Sequence, residues 1–198
     1  MSEGEDRAQR TVEVAEAVSD VLDRLGARSA LIGAAALAAH NYPRDTADLD
    51  LATYEDPFTL LRDAERQLSA AGHECDLRLP DDEDPLGGVL TVRGEGHDPV
   101  QVVNFRNPLG GRRNPGRDAV ASATPLPGTR LRVVDLPHLV ALKLYAGGPK
   151  SRADVVELLE RNPDVPVDVI RTVCAANRLD RAFDAIVAAL HAPPDDEP

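Results

Sequence analysis

The chain has 198 residues, 42% of them hydrophobic, and its 34 acidic against 22 basic side chains give a net charge of −12. That length suits one globular unit, or one with a helical appendage, and the excess of acid argues against a broad basic face for nucleic acid. Cys75 and Cys174 are too few and too far apart for a disulfide framework or a metal knuckle. The stretch 1–9 is acidic with no apolar run, and no segment approaches the ~20 apolar residues that span a bilayer. The expectation is a cytoplasmic protein with no membrane partner.

Val12, Ala15, Val18, Val21, Leu22 and Leu25 recur at helical spacing and predict a helix over 7–25, stopped by Gly26. A buried strand over 29–32 leads into a glycine turn at Gly33 and a short Ala-rich helix to residue 40. Pro43 breaks the chain before a strand over 48–52. Asp56-Pro57 opens a helix to residue 71, with Leu60, Leu61, Ala64 and Leu68 on its inner face and Gly72 at its end. Segments 74–79, 87–93 and 99–105 read as strands, the first two separated by an acidic turn over 80–85. The stretch 107–127, rich in Gly, Pro, Asn and Arg, reads as an irregular, mobile segment, with a last strand over 129–134. From there helices are predicted over 135–146, 151–161, 167–176 and 180–191. The order predicts an α+β fold: a short mixed β-sheet with flanking helices over 1–134, a helical C-terminal region over 135–192, and a disordered tail over 193–198.

The chemistry concentrates in residues 31–51. Asp48 and Asp50, two apart on a strand, point to the same side roughly 6.5–7 Å from one another. A glycine turn that opens a helix at Gly33 aims backbone N–H groups and the positive helix end at whatever lies beside those carboxylates. An anion cradle next to an acidic pair suggests a metal–phosphate site, because Mg²⁺ takes oxygen ligands from one or two carboxylates plus substrate phosphates. A bare Asp-x-Asp carries little; the preceding Gly turn and the intervening Arg44-x-Thr46 give it weight.

The run Gly33-Ala34-x-Ala36-Leu37-x-x-His40-x-x-x-Arg44-x-Thr46-x-Asp48-Leu49-Asp50-Leu51 resembles the signature of the nucleotidyltransferase superfamily, the polymerase-β-like fold. The resemblance is closest to the minimal bacterial branch that includes abortive-infection-type toxins. A second run, Leu142-Lys143-Leu144-x-Ala146-x-x-x-Lys150-x-x-x-Asp154-Val155, is similar to the Lys-containing helix pair that follows the catalytic sheet in that branch. The resemblance implies transfer of a nucleotidyl group from an NTP to a hydroxyl acceptor (RNA, protein or small molecule), dependent on Mg²⁺ or Mn²⁺ and releasing pyrophosphate. It implies that Asp48 and Asp50 are the catalytic, metal-holding acids, that Gly33 and Ala34 cradle the triphosphate, and that Lys143 and Lys150 neutralise it. Arg44 and Thr46 either reach phosphate or brace the acidic strand. A toxin-like member also implies a cognate regulatory partner protein.

The chain departs from that pattern in places. Ala34 stands where a Ser would add a hydroxyl donor, and Ser151 follows Lys150 where the family often has Asp. The family places a third carboxylate on a neighbouring strand, whereas the strand over 100–105 holds no acid; Asn104 is the best positional match, with Gln101 second. An amide ligates metal through oxygen but supplies neither negative charge nor a basic site. Asp76 and Asp98 are alternative stand-ins. The competing expectation is therefore a catalytically impaired protein of this fold, acting as a nucleotide-binding or protein-interaction module. His40 reads as a helix-end contact, and Lys150 with Asp154 as an i,i+4 pair. Arg106, Arg112, Arg113 and Arg117 form a local cationic loop suited to an anionic acceptor, such as an RNA end or an acidic protein face, beside the site.

Overall fold

The structure, a computed structural model, describes residues 3–110 and 113–190. Its elements run α1 (Glu3–Arg24), β1 (Ala30–Leu31), α2 (Gly33–Ala39), β2 (Leu49–Thr53), α3 (Pro57–Ala70), β3 (Glu74–Arg78), β4 (Val89–Arg93) and β5 (Val100–Asn104). They continue with α4 (Gly116–Ser122), β6 (Thr124–Pro125), β7 (Arg132–Val133), α5 (Leu136–Ala146), α6 (Gly148–Arg161), α7 (Val167–Ala176) and α8 (Asp180–Leu190). No described helix is long and apolar enough to cross a membrane.

The strands form one mixed sheet in the order β3-β4-β5-β2-β1-β7-β6. β2 pairs in parallel with β5 and antiparallel with β1, while β3, β4 and β5 make an antiparallel run. Because side chains alternate across a sheet, this register sorts them into two unlike faces. Leu49, Leu51, Leu90, Val92, Val100 and Val102 share the buried face. α3 covers it, with Leu61 against Gly88, and α1 packs beside α3. Asp50, Gln101 and Val103 lie on the opposite face, which α4 and α5 approach without closing.

Capping chemistry fixes the helix starts. Asp56 accepts a hydrogen bond from the Thr59 N–H and Asp135 from the His138 N–H, each ahead of a proline in the first turn. α6 starts earlier than the predicted residue 151: Gly147 and Gly148, at φ +69° and +79°, reverse the chain between α5 and α6, and Pro149 lies in the first turn of α6. The segment expected to be irregular over 107–127 holds α4 and β6. Asn114 organises it by donating to the Phe105 carbonyl and accepting from the Gly116 N–H, and Ala119 and Val120 are buried. A Cβ at Gly116 would come within 2.2 Å of the Phe105 Cβ, so this glycine is a packing requirement and not a sign of looseness. The expected tail over 193–198 lies outside the described residues.

Candidate active site

β1 and β2 run antiparallel, so the turn that leaves β1 meets the start of β2. The Ile32 N–H donates to the Asp50 carbonyl (3.0 Å), placing Gly33 directly over the Asp50 side chain. Gly33 has φ +61°, and a Cβ built there would fall 2.1 Å from Asp50 Oδ2. Both the backbone conformation and the space call for glycine. Ala34 is buried in the first turn of α2, where helical N–H groups have no intrahelical acceptor.

Burial pushes the Asp50 carboxyl up from 3.8 to about 6; the Asp48 charge adds to the rise, and the Lys143 ammonium opposes it. The Asp48 carboxylate, just ahead of β2, and the Lys143 ammonium of α5 thus both act electrostatically on Asp50. Thr46 braces the pair: its hydroxyl donates to Asp48 Oδ1 at 2.6 Å. This is the bracing contact, one of the two roles expected of Thr46.

Lys143 and Arg44 converge on Asp154. Lys143 Nζ lies 2.7 Å from Asp154 Oδ2, and Arg44 Nη1 lies 2.7 Å from Asp154 Oδ1, with Asp154 only 2% exposed. Asp154 is therefore not the local partner of Lys150, which stays exposed. Arg44 has a structural place as well, tying the loop before β2 to α6. The sequence reading missed this clamp. The available signal was an acid in the apolar stripe of α6, alongside Val155 and Leu158, where a buried charge requires partners. His40 makes the expected helix-end contact, its Nε2 2.7 Å from the Val134 carbonyl.

Asn104 does not join the acids. In the β2–β5 register it faces Thr53, on the opposite side of the sheet from Asp50. It is fully buried, its Nδ2 donating to the Glu55 carbonyl and its Oδ1 accepting from the Arg106 N–H. Gln101 takes the position facing Asp50 and donates through Nε2 to Asp48 Oδ2 at 3.3 Å. The cross-sheet row runs Asp50–Gln101–Thr91–Asp76, which puts Asp76 three strand spacings, about 14 Å, from Asp50. Asp98 pairs with Arg7 of α1 instead. Neither acid replaces the missing carboxylate, and among the described residues no group of three or more His, Cys, Asp or Glu converges as a metal site.

Beside Gly33 and Lys143 a cleft of about 410 Å³ opens between the sheet and the α5–α6 pair. Ile32, Val103, Phe105, Leu139 and Leu142 give it apolar walls. That combination of apolar walls, a backbone turn and one cation suits a small organic ligand with a charged end. The arginine loop does not flank the acids. Arg106 and Arg117 sit at the other end of β2, Arg113 is exposed, and Arg112 lies outside the described residues.

A glycine turn over an Asp-x-Asp strand in a mixed sheet, followed by a lysine-bearing helix pair, is the nucleotidyltransferase fold, and comparison with solved structures shows that fold. The solution structure of the antibiotic-resistance factor ANT(2'')-Ia matches with a TM-score of 0.54 at 12% identity, over 92% of this chain and 98% of that one. A crystal structure of the same factor in complex with adenylyl-2''-tobramycin matches at 0.51 and 12%, over 86% and 98%. An antigenic nucleotidyltransferase-like protein from Paracoccidioides brasiliensis matches at 0.56 and 19%, over 94% of both chains. Identities of 12–19% make this a likeness of fold. No protein-family model and no curated protein sequence matches the chain.

Proposed function

We propose that the protein transfers a nucleotidyl group from a nucleoside triphosphate to a hydroxyl acceptor and releases pyrophosphate. The observation that carries this reading is the contact of Gly33 with Asp50, which sets a side-chain-free backbone turn directly against the carboxylate pair. The donor set fits a divalent ion such as Mg²⁺ or Mn²⁺: Asp48 and Asp50 supply hard oxygen ligands, and the raised Asp50 pKa marks a carboxylate that a cation would relieve. Such an ion, when bound, polarises the phosphoryl oxygens and neutralises charge building on the leaving pyrophosphate.

The remaining work falls to the chain's own groups. The N–H groups following Gly33 bind the phosphates, and the apolar cleft takes the nucleoside. Thr46 holds Asp48 in one rotamer. Lys143 lines the cleft beside Gly33 and supplies positive charge to the phosphates from a fixed position, its ammonium held by Asp154, which Arg44 holds in turn. The reaction in this frame depends on positioning and electrostatics. The finer assignment to the minimal, toxin-like branch rests on the second sequence run, whose Lys143 and Asp154 meet across α5 and α6.

A second reading, nucleotide binding without transfer, is favoured by one observation: the residue facing Asp50 is Gln101, with no basic site to take the acceptor's proton. Incubation with α-labelled NTPs, Mg²⁺ or Mn²⁺ and an extract containing RNA and protein separates the two. Label transfer that Asp50→Asn abolishes supports the enzyme. Saturable nucleotide binding without transfer, with label transfer gained in Gln101→Asp, supports the binding module. No nucleotide binding at all rejects both.

A further inference from the structure

A second pocket, of about 320 Å³, lies where the sheet ends away from Gly33, lined by Arg28, Tyr54, Glu55, Arg106 and Arg117 with an apolar wall at Val120. Arg28 precedes β1, Tyr54 and Glu55 follow β2, Arg106 follows β5, and Arg117 sits in the first turn of α4. Tyr54 is four residues beyond Asp50, about 13 Å along the strand direction. We propose that this pocket binds the phosphate group of a small phosphomonoester carrying hydroxyls, of the pentose-phosphate kind, independently of the Asp48/Asp50 site and of the transfer reaction proposed above.

The case begins with charge. Among the described residues none of Arg28, Arg106 and Arg117 forms an ion pair with a carboxylate, whereas Arg44, Arg130 and Arg171 each do. Three guanidiniums against one carboxylate, Glu55, leave this cavity with a net positive lining in a chain of net charge −12, with Arg28 also donating to the Ala121 carbonyl at 3.4 Å. Guanidinium forks match phosphate oxygens two at a time, which a lone lysine does not.

The frame is also built to hold them. The buried Asn104 side chain fastens two lining residues at once, donating to the Glu55 carbonyl (3.1 Å) and accepting from the Arg106 N–H (2.8 Å). Thr53 donates to the Arg28 carbonyl at 3.1 Å, and Asn114 ties Phe105 to the start of α4. The Arg117 guanidinium lies over the Tyr54 ring, 5.6 Å from its centroid, a cation–π contact that holds it at the pocket wall. Glu55 is the one carboxylate on the wall, and as an acceptor it suits a ligand with hydroxyls beside its phosphate.

Calorimetric titration with ribose 5-phosphate at fixed ionic strength, without divalent metal, tests this. The expected result is saturable one-to-one binding, none for ribose, at least tenfold weaker binding in Arg106→Ala/Arg117→Ala, and wild-type affinity in Asp50→Asn. Should the double variant fold poorly, Arg28→Ala carries the same comparison. Absence of saturable binding, equal binding of ribose, unchanged affinity in the arginine variants, or loss in Asp50→Asn overturns the proposal. The Asp50→Asn arm keeps its outcome separate from that of the transferase reading.

Discussion

Replacing Asp50 with Asn tests the electrostatics of the carboxylate pair through stability. Asp50 is held with its pKa raised from 3.8 to about 6, first by burial and then by Asp48. The folded protein therefore binds a proton more tightly there than the unfolded chain does. The sign follows: this group's contribution is neutral below pH 3.8 and becomes a penalty that is complete above about pH 6. At 1.36 kcal/mol per pH unit the full penalty is about 3 kcal/mol, roughly half of it present at pH 5. Asn has nearly the same shape and no charge to desolvate. Asp50→Asn is thus expected to be more stable than wild type by about 2–3 kcal/mol at pH 7.5, with the difference halved at pH 5. Urea denaturation of both proteins across pH 4.5–8, in the presence of a metal chelator, measures it. Repeating the titration with millimolar Mg²⁺ should narrow the gap, because only the wild-type pair gains from the cation. An Asp50→Asn protein that is less stable than wild type, or a difference that does not change with pH, refutes the account of a repulsive, desolvated pair.

Gly33→Ala combines a positive φ with a Cβ 2.1 Å from Asp50 Oδ2, so a loss of about 1–3 kcal/mol in denaturation and a loss of nucleotide binding are expected together. Asp154→Asn leaves Lys143 and Arg44 without their shared counter-charge and should cost about 3–5 kcal/mol in the same assay, whereas Lys150→Ala should cost under about 0.5 kcal/mol. Burial pushes the Cys174 thiol up to about 12 and also raises Cys75, but Cys174 is buried and Cys75 only partly so, so an aromatic disulfide reagent at pH 8 should label Cys75 in the native protein and Cys174 only on unfolding.

What was legible in the chain was what short-range pattern carries. The Gly33 turn, the Asp48/Asp50 strand and the lysine helix are contiguous runs whose periodicity and punctuation specify them. The α+β class follows from the same signals, and the structure shows it as a mixed sheet with flanking helices. The facing position on β5 was legible only to within two candidates, Asn104 ahead of Gln101, because register between two parallel strands is set by packing over a separation of about fifty residues. A slip of three residues changed both the distance and the face, so Gln101 and not Asn104 meets Asp50. The Arg44–Asp154 ion pair spans 110 positions, and no local rule reports it. α4 was hidden for a different reason: it is seven residues starting at a glycine in a stretch full of turn formers, led in by the Gly116 N–H donating to Asn114 and held by the burial of Ala119 and Val120.

Gln101 also bears on how reversible the present state of this site is. Glutamine and glutamate codons differ at one base, and their side chains differ only in an amide nitrogen against an oxygen. Since the backbone at 101 already aligns with Asp50, and its side chain already reaches Asp48, a third carboxylate at this position lies one nucleotide change away. That change would replace the Gln101 N–H donor on Asp48 with a third negative charge beside an already desolvated pair, so the three-acid version of this site depends on a bound cation far more than the two-acid version does.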